Sequence, residues 1–268
     1  MNIIKSTNDN KVLSMSNILI KKSTKFSITE QKIFYMCLYC ISKGMIKDDE
    51  VFIEKKEFIN KLGLSNSHAY TDIRNSFKNI IKNSYIQFTD GDNFNDGVLI
   101  CNVKTNKKYF IVKFNREYLP LIKDLSKNYT RLLNDDVISF SSKHSMMLYQ
   151  NLMRLSLYCK CIKLTTKQIK DFTGIDEKGY CRKNGKFDRH SFELNVIRKS
   201  VDEINEKSNC INNLEYSKEY DGRKVKCYSF SFEYVDPNSI GKENNYINND
   251  ENKTDKNFSD EVKNYVWW

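Results

Sequence analysis

Two stretches, Ile53-Glu-Lys-Lys-Glu-Phe-Ile-Asn-Lys-Leu-Gly-Leu64 and Leu164-Thr-Thr-Lys-Gln-Ile-Lys-Asp-Phe-Thr-Gly-Ile175, share one grammar. Each starts at the end of an apolar strand run, passes through polar residues suited to a helix start, places an apolar pair at helical spacing and stops at glycine. A glycine there is free to take the left-handed backbone that closes a helix. Two copies in a chain of 268 residues point to two domains of ordinary size, each able to bury its own core.

Outward from the first copy, Val51 to Ile53 is a short strand and Lys55 to Leu62 a helix. From Ser67 to Asn83, Ala69, Tyr70, Ile73, Phe77, Ile80 and Ile81 form one apolar stripe, leaving Arg74, Asn75 and Lys78 on the other face. The pattern is helix-turn-helix. Tyr85 to Phe88 and Val98 to Val103 are β-rich runs around the turn-forming stretch Asp90 to Gly97, so a hairpin wing is expected. Tyr109 to Phe114 adds a strand, and Glu117 to Leu125 reads as a short helix despite Pro120. Upstream, Ser27-Ile-Thr-Glu30 is a capping box that opens a helix running to Gly44. That helix is apolar on nearly every face, as expected of one buried on most sides or shared with a partner subunit.

The second copy sits in the same order. A helix from about Ser142 to Lys160 precedes the strand Ile162 to Leu164, and Thr165 to Phe172 is a helix closed by Gly174. A polar arm, Glu177 to Lys186, leads into a long amphipathic helix from about Asp188 to Lys207. Phe192, Val196, Ile197, Val201 and Ile204 mark its core face, while Ser191, Asn195, Arg198, Lys199 and Asp202 turn outward. Leu214 to Tyr220 and Lys224 to Tyr234 flank Asp221-Gly-Arg, a second wing. The expected class is α+β, with winged-helix domains over 1–136 and 137–236 and a disordered tail over 237–268.

The charge balance of +10 favours a polyanionic partner, nucleic acid or an anionic membrane surface. Residues 238–268 carry four Lys and six acidic groups, so the remainder of the chain holds +12. No apolar run approaches a membrane span and the first residues lack a signal-peptide core, so a cytoplasmic, non-membrane protein is expected. The eight cysteines read as reduced thiols. Cys37 and Cys40 fall mid-helix among Phe34, Leu38 and Ile41, where core packing is favoured over zinc.

Catalytic chemistry finds no support. The stretch from Gly179 to Phe187 has one residue too many between its glycines for a phosphate loop, and Phe187 stands where a metal-binding hydroxyl belongs. His68, His144 and His190 are far apart in sequence, unlike the clustered ligands of a metal-dependent nickase. No catalytic residue, metal or cofactor is expected.

The outward residues of the two second helices are the DNA-binding candidates. Arg189, His190, Ser191, Asn195, Arg198 and Lys199 bring guanidinium donors suited to guanine and an amide suited to adenine, with helix N–H groups for phosphate. Arg223 and Lys224 at the wing turn, and Lys183 and Lys186 in the arm, suit phosphate or minor-groove contact. Arg74, Asn75 and Lys78 are the first-domain set.

The sequence resembles the theta-type, iteron-binding plasmid replication initiators, whose chains are tandem winged helices. The resemblance covers most of Ser14 to Tyr234. It runs through Ser16-Asn-Ile-Leu19, Ser27 to Ile33, Ala69-Tyr70, Leu148-Tyr149, Phe192 to Asn205, Gly222-Arg223-Lys-Val225 and Phe230-Ser-Phe232. It implies a monomer that binds direct repeats in an origin, helps open an AT-rich segment and assembles host replication proteins such as a helicase or host initiator. In relatives a homodimer formed through the first domain binds an operator and represses the protein's own gene. One departure is visible: relatives often carry Arg before the Leu-Tyr pair, and this chain has Met147. A tandem winged-helix transcription regulator and a winged-helix scaffold for acidic proteins are the rival readings.

Overall fold

The computed structural model describes residues 12–64, 68–90, 93–123, 125, 129–156 and 161–240. The chain opens with β1 (Val12–Ser16) and α1 (Asn17–Ser23). Neither element is marked by a local signal in the sequence, and the first expected element is the helix that follows. Helix α2 (Ile28–Ser42) carries the expected capping box, Ser27 accepting from the Glu30 N–H and Glu30 from the Ser27 N–H. Its all-round apolar surface is covered by the chain itself, since Ile33, Phe34, Tyr35, Cys37, Leu38 and Ile41 are all buried. No partner subunit is needed to cover it.

The first winged helix follows as β2 (Ile46–Lys47), β3 (Glu50–Glu54), α3 (Lys55–Lys61) and α4 (Ala69–Asn83). Gly63 takes φ +67°, the left-handed closure anticipated after α3. The wing differs from expectation. Strand β4 (Tyr85–Asp90) pairs with β5 (Asn93–Val98), which lies almost wholly inside the stretch read as a loop. The run that follows is β6 (Ile100–Thr105), which joins a separate antiparallel sheet with β7 (Tyr109–Phe114), in the order β2-β3-β7-β6. Turn-type residues such as Asn93, Asn95 and Gly97 hid a strand whose pairing is backbone-driven. The helix expected over Glu117 to Leu125 is a 3₁₀ segment, Arg116–Leu121, in keeping with Pro120.

Strand β8 (Tyr129–Leu133) returns to pair with β1, and α5 (Asn134–Ser139) then leads to α6 (Lys143–Ser156). The last residues assigned to that helix from sequence, 157–160, lie outside the described residues. The second winged helix continues as β9 (Cys161–Leu164) and α7 (Thr166–Thr173), with a Thr165/Gln168 capping box and Gly174 at φ +69°. After the arm come α8 (Arg189–Phe192), a π-helical turn (Glu193–Arg198) and α9 (Lys199–Lys207), one continuous rod. Strands β10 (Ile211–Asp221) and β11 (Lys224–Tyr234) form the wing and extend it to β9. Gly222, at φ +55°, makes the two-residue turn between paired Asp221 and Lys224.

The tail begins later than the sequence suggested. Pro237 is buried in a 3₁₀ turn, Pro237–Ser239, and Ile240 packs on the core, so residues 237–240 belong to the folded body. The remainder, 241–268, lies outside the described residues.

One buried core runs through both halves of the chain. A polar seam crosses it where α1, α2 and α6 meet. The Tyr35 hydroxyl donates to Gln150 Oε1 at 2.8 Å and lies 2.6 Å from Ser23 Oγ, and burial holds its proton on far beyond the ordinary phenol range. Gln31 Nε2 donates to the Ser23 carbonyl at 2.8 Å and to Met147 Sδ at 3.1 Å. Met147 is therefore a buried thioether in this seam, where a relative's Arg would bring a charge.

Candidate nucleic-acid interface

In the first domain, Ile73, Phe77 and Ile80 fasten α4 to the core, with Phe77 stacked on Phe58 at 6.4 Å between ring centroids. Arg74, Asn75 and Lys78 are exposed on the outer face, as their spacing predicts. Asn79 Nδ2 donates to Glu30 Oε1 at 2.9 Å, so the first turn of α2 fixes the setting of α4. Tyr70 departs from the predicted apolar stripe. It is 52% exposed, with its ring 6.3 Å from Phe110 and the Lys55 ammonium 5.5 Å above its face.

In the second domain, the rod over 189–207 is the centre of the site. Asp188 caps it by accepting the Ser191 N–H at 3.2 Å and also accepts from Arg182 Nε at 3.2 Å. These bonds, the Ser191 N–H first, hold the Asp188 carboxyl below its usual range. One of the helix N–H groups expected to meet phosphate is thus taken by the cap. The arm is a compact turn. Cys181 bridges to Phe187, Gly185 takes φ +77°, and the Tyr180 and Phe187 rings pack on Phe192 at 5.6 and 5.4 Å. Lys170 braces it by donating to the Glu177 and Gly179 carbonyls. Lys183 and Lys186 are exposed on this turn.

The wing is tied to the same helix. Glu193 accepts from the Tyr216 hydroxyl at 3.1 Å and from Lys218 Nζ at 3.0 Å, which fastens β10 alongside the π turn. Arg223 and Lys224 stand exposed at the wing tip. Arm, helix and wing therefore form one braced unit carrying the second-domain candidates, whereas Arg74, Asn75 and Lys78 lie on a different helix in the other domain.

Within the rod the candidates are not equivalent. His190, Arg198 and Lys199 are exposed, while Arg189, Ser191 and Asn195 are half-buried. The Asn195 amide already donates to the Ser191 carbonyl at 2.9 Å and accepts from Lys199 Nζ at 2.8 Å. Its hydrogen bonds are thus engaged within the helix instead of pointing at a base. Leu194 is 38% exposed on this face and was absent from the sequence-derived set. The only signal for it was its position midway between His190 and Arg198, which apolar character masks.

The described residues contain no group of three His, Cys, Asp or Glu able to hold a metal, and no described helix is long and apolar enough to cross a membrane. Of the cysteines, Cys37 is buried as anticipated, and Cys101 and Cys161 are exposed on strands.

Two winged helices, each with an outward-facing second helix, define a protein of the tandem winged-helix class. The chain belongs to the initiator replication protein family: the family model described as Initiator Replication protein, WH1 matches residues 12–153, and that described as Initiator Rep protein, WH2 matches 165–232. Among solved structures it is similar to the Pi initiator protein in complex with iteron DNA, with a TM-score of 0.69 and 21% identity over 86% of this chain and 99% of that one. It is also similar to domains 2 and 3 of RctB, with a TM-score of 0.48 and 9% identity over 78% of this chain and 82% of that one. Comparison with curated protein sequences gives no match.

Proposed function

We propose that this chain is a plasmid replication initiator that binds direct repeats of duplex DNA in an origin, with sequence read chiefly by the second domain. The observation that carries this reading is the braced unit of arm, helix and wing, which presents Lys183, Lys186, His190, Arg198, Lys199, Arg223 and Lys224 around one exposed helix. A rigid helix flanked by cations suits a major groove bordered by phosphates. The similar Pi initiator protein was solved with iteron DNA, which agrees with that reading. The reading includes a division into units over 1–136 and 137–236, with backbone contact given by the first through Arg74, Asn75 and Lys78, which lie on a different helix from the second-domain set.

The same reading extends to opening of a neighbouring segment, recruitment of host replication proteins such as a helicase or host initiator, and repression of the protein's own gene. A homodimer through the first domain is supported by the outer face of its sheet. There Phe52 and Tyr109 meet edge to face at 6.2 Å beside Ile111, bordered by the Glu50–Lys104 ion pair at 2.7 Å. The protein acts by binding rather than catalysis, needs no cofactor, and works in the cytoplasm.

The test is replication itself. A plasmid lacking its own initiator but carrying DNA from beside this gene should be maintained when the chain is supplied in trans, and Arg198→Ala should abolish maintenance. Sequence-specific binding without maintenance would favour a transcription regulator. Binding only to acidic proteins would favour a scaffold.

A further inference from the structure

The core line of the rod over 189–207 is Phe192, Val196, Ser200 and Ile204, all buried and each four residues from the last. In a uniform α-helix a step of four overshoots the turn by about 40°, so such a line would wind about 120° around the rod. The π turn at Glu193–Arg198 takes more residues per turn and straightens it. The line displaced by two residues, His190, Leu194, Arg198 and Asp202, is straightened with it and is exposed along its length. Leu194 lies at the middle of that line, opposite the core. Its polar neighbours are both occupied, Glu193 by Tyr216 and Lys218, and Asn195 by Ser191 and Lys199.

A single exposed leucine on a protein surface is ordinary. This one stands between His190 and Arg198 on the outward line of a helix flanked by exposed cations. A cationic surface of this shape matches a duplex, and the major groove offers one apolar group among its polar edges, the 5-methyl of thymine. We propose that Leu194 is a specificity-determining residue that packs on a thymine methyl, so that one position of the recognised site is read by apolar contact. This rests on the assignment of residues 189–207 as the DNA-entering helix.

The test uses the full chain and a duplex selected by it from a random pool. Each thymine of the selected site is replaced in turn by deoxyuridine, which removes only the methyl. Wild-type protein should lose about fourfold in affinity at one or two positions, the worth of one buried methyl at ~0.8 kcal/mol. Leu194→Ala, which should keep the wild-type melting temperature because the side chain is on the surface, should bind the thymine and deoxyuridine duplexes equally. Arg198→Ala should weaken both duplexes and keep the wild-type ratio between them. Loss of no affinity at any deoxyuridine position, or full discrimination retained by Leu194→Ala, overturns the assignment of Leu194 while leaving the DNA-reading helix in place. If no duplex is selected, or Arg198→Ala binds as well as wild type, the helix assignment itself fails and the Leu194 proposal with it.

Discussion

The buried carboxylate of Asp136 accepts hydrogen bonds from both nitrogens of Asn209, its backbone N–H at 2.9 Å and its side-chain amide at 2.6 Å. The same carboxylate takes the Ser208 and Tyr149 hydroxyls at 3.0 and 3.1 Å and the Cys210 N–H at 3.3 Å. Asp136 belongs to α5, directly after the strand that pairs with β1, and residues 208–210 follow the rod over 189–207. A reciprocal bond lies close by: Glu203 of α9 accepts the Ser141 and Ser142 N–H groups ahead of α6 at 2.6 and 3.2 Å. Two carboxylates thus hold the end of the rod over 189–207 to the junction between the two winged helices.

Truncating Asp136→Ala leaves several buried donors without acceptors, each costing about 1–3 kcal/mol. The expected result is a loss of about 3 kcal/mol or more in denaturant unfolding. Tyr149→Phe, which removes one donor and leaves the carboxylate otherwise bonded, should cost about 1 kcal/mol. Equal costs for the two would show that Asp136 is not the centre of the network.

Gly174 should resist substitution for two reasons. It holds φ +69°, and a Cβ built there would meet the Thr24 carbonyl oxygen at 2.5 Å. Because Thr24 lies between α1 and α2, Gly174→Ala pushes the end of α7 away from the opposite half of the chain. Gly63, also at positive φ but with nothing within 4 Å, is the control. Gly63→Ala should cost about 1 kcal/mol, the left-handed backbone penalty, and Gly174→Ala clearly more, as read from urea midpoints. Equal shifts would mean the Thr24 contact yields without cost.

Stability should depend on Glu203 in a definite pH direction. Burial by itself would raise this carboxyl, but the bonds from Lys207 and the Ser141 N–H outweigh it and set the group below its ordinary 4.5. A carboxyl held lower in the folded chain than in the unfolded one adds stability above that ordinary value and loses it as pH falls through the folded one. The melting-temperature gap between wild type and Glu203→Gln should therefore be widest near neutrality and close as pH drops below about 4.5. A gap unchanged down to the acid limit would contradict this role.

Much of this architecture could be read in the sequence because its signals are local. The capping box at Ser27, the closing glycines Gly63 and Gly174, and the Asp221-Gly222 turn each act within a few residues, and all stand where their chemistry placed them. What escaped depends on distant partners. Strand β1 is a strand because β8 pairs with it, and β5 because β4 does, although its own residues favour turns. Within the candidate site, exposure of Arg198 and Lys199 followed from helical rotation. The internal bonding of Asn195 and the outward setting of Leu194 depend on side-chain competition and a π turn that periodicity at 100° per residue does not reveal.

The two candidate DNA-binding sets should separate by salt and sequence. Arg198→Ala should cost about 1–3 kcal/mol on the recognised repeat with little change on scrambled duplex. Asn195→Ala should cost less, since that amide is already bonded within the helix. Lys78→Ala should weaken binding to both DNAs alike and lower the salt slope by about one. Titrations on both duplexes at several salt concentrations give all three values, and an Arg198→Ala loss that is equal on both would place that residue on phosphate.

Reading of repeated duplex sites by the second-domain helix should leave a footprint on the DNA flanking the gene. Wild-type protein should protect a series of short direct repeats at a concentration where Arg198→Ala, equally folded, protects none and still coats the duplex non-specifically at higher concentration. Protection of no repeat by the wild-type protein, or the same protected repeats with Arg198→Ala, would rule out sequence reading by this helix.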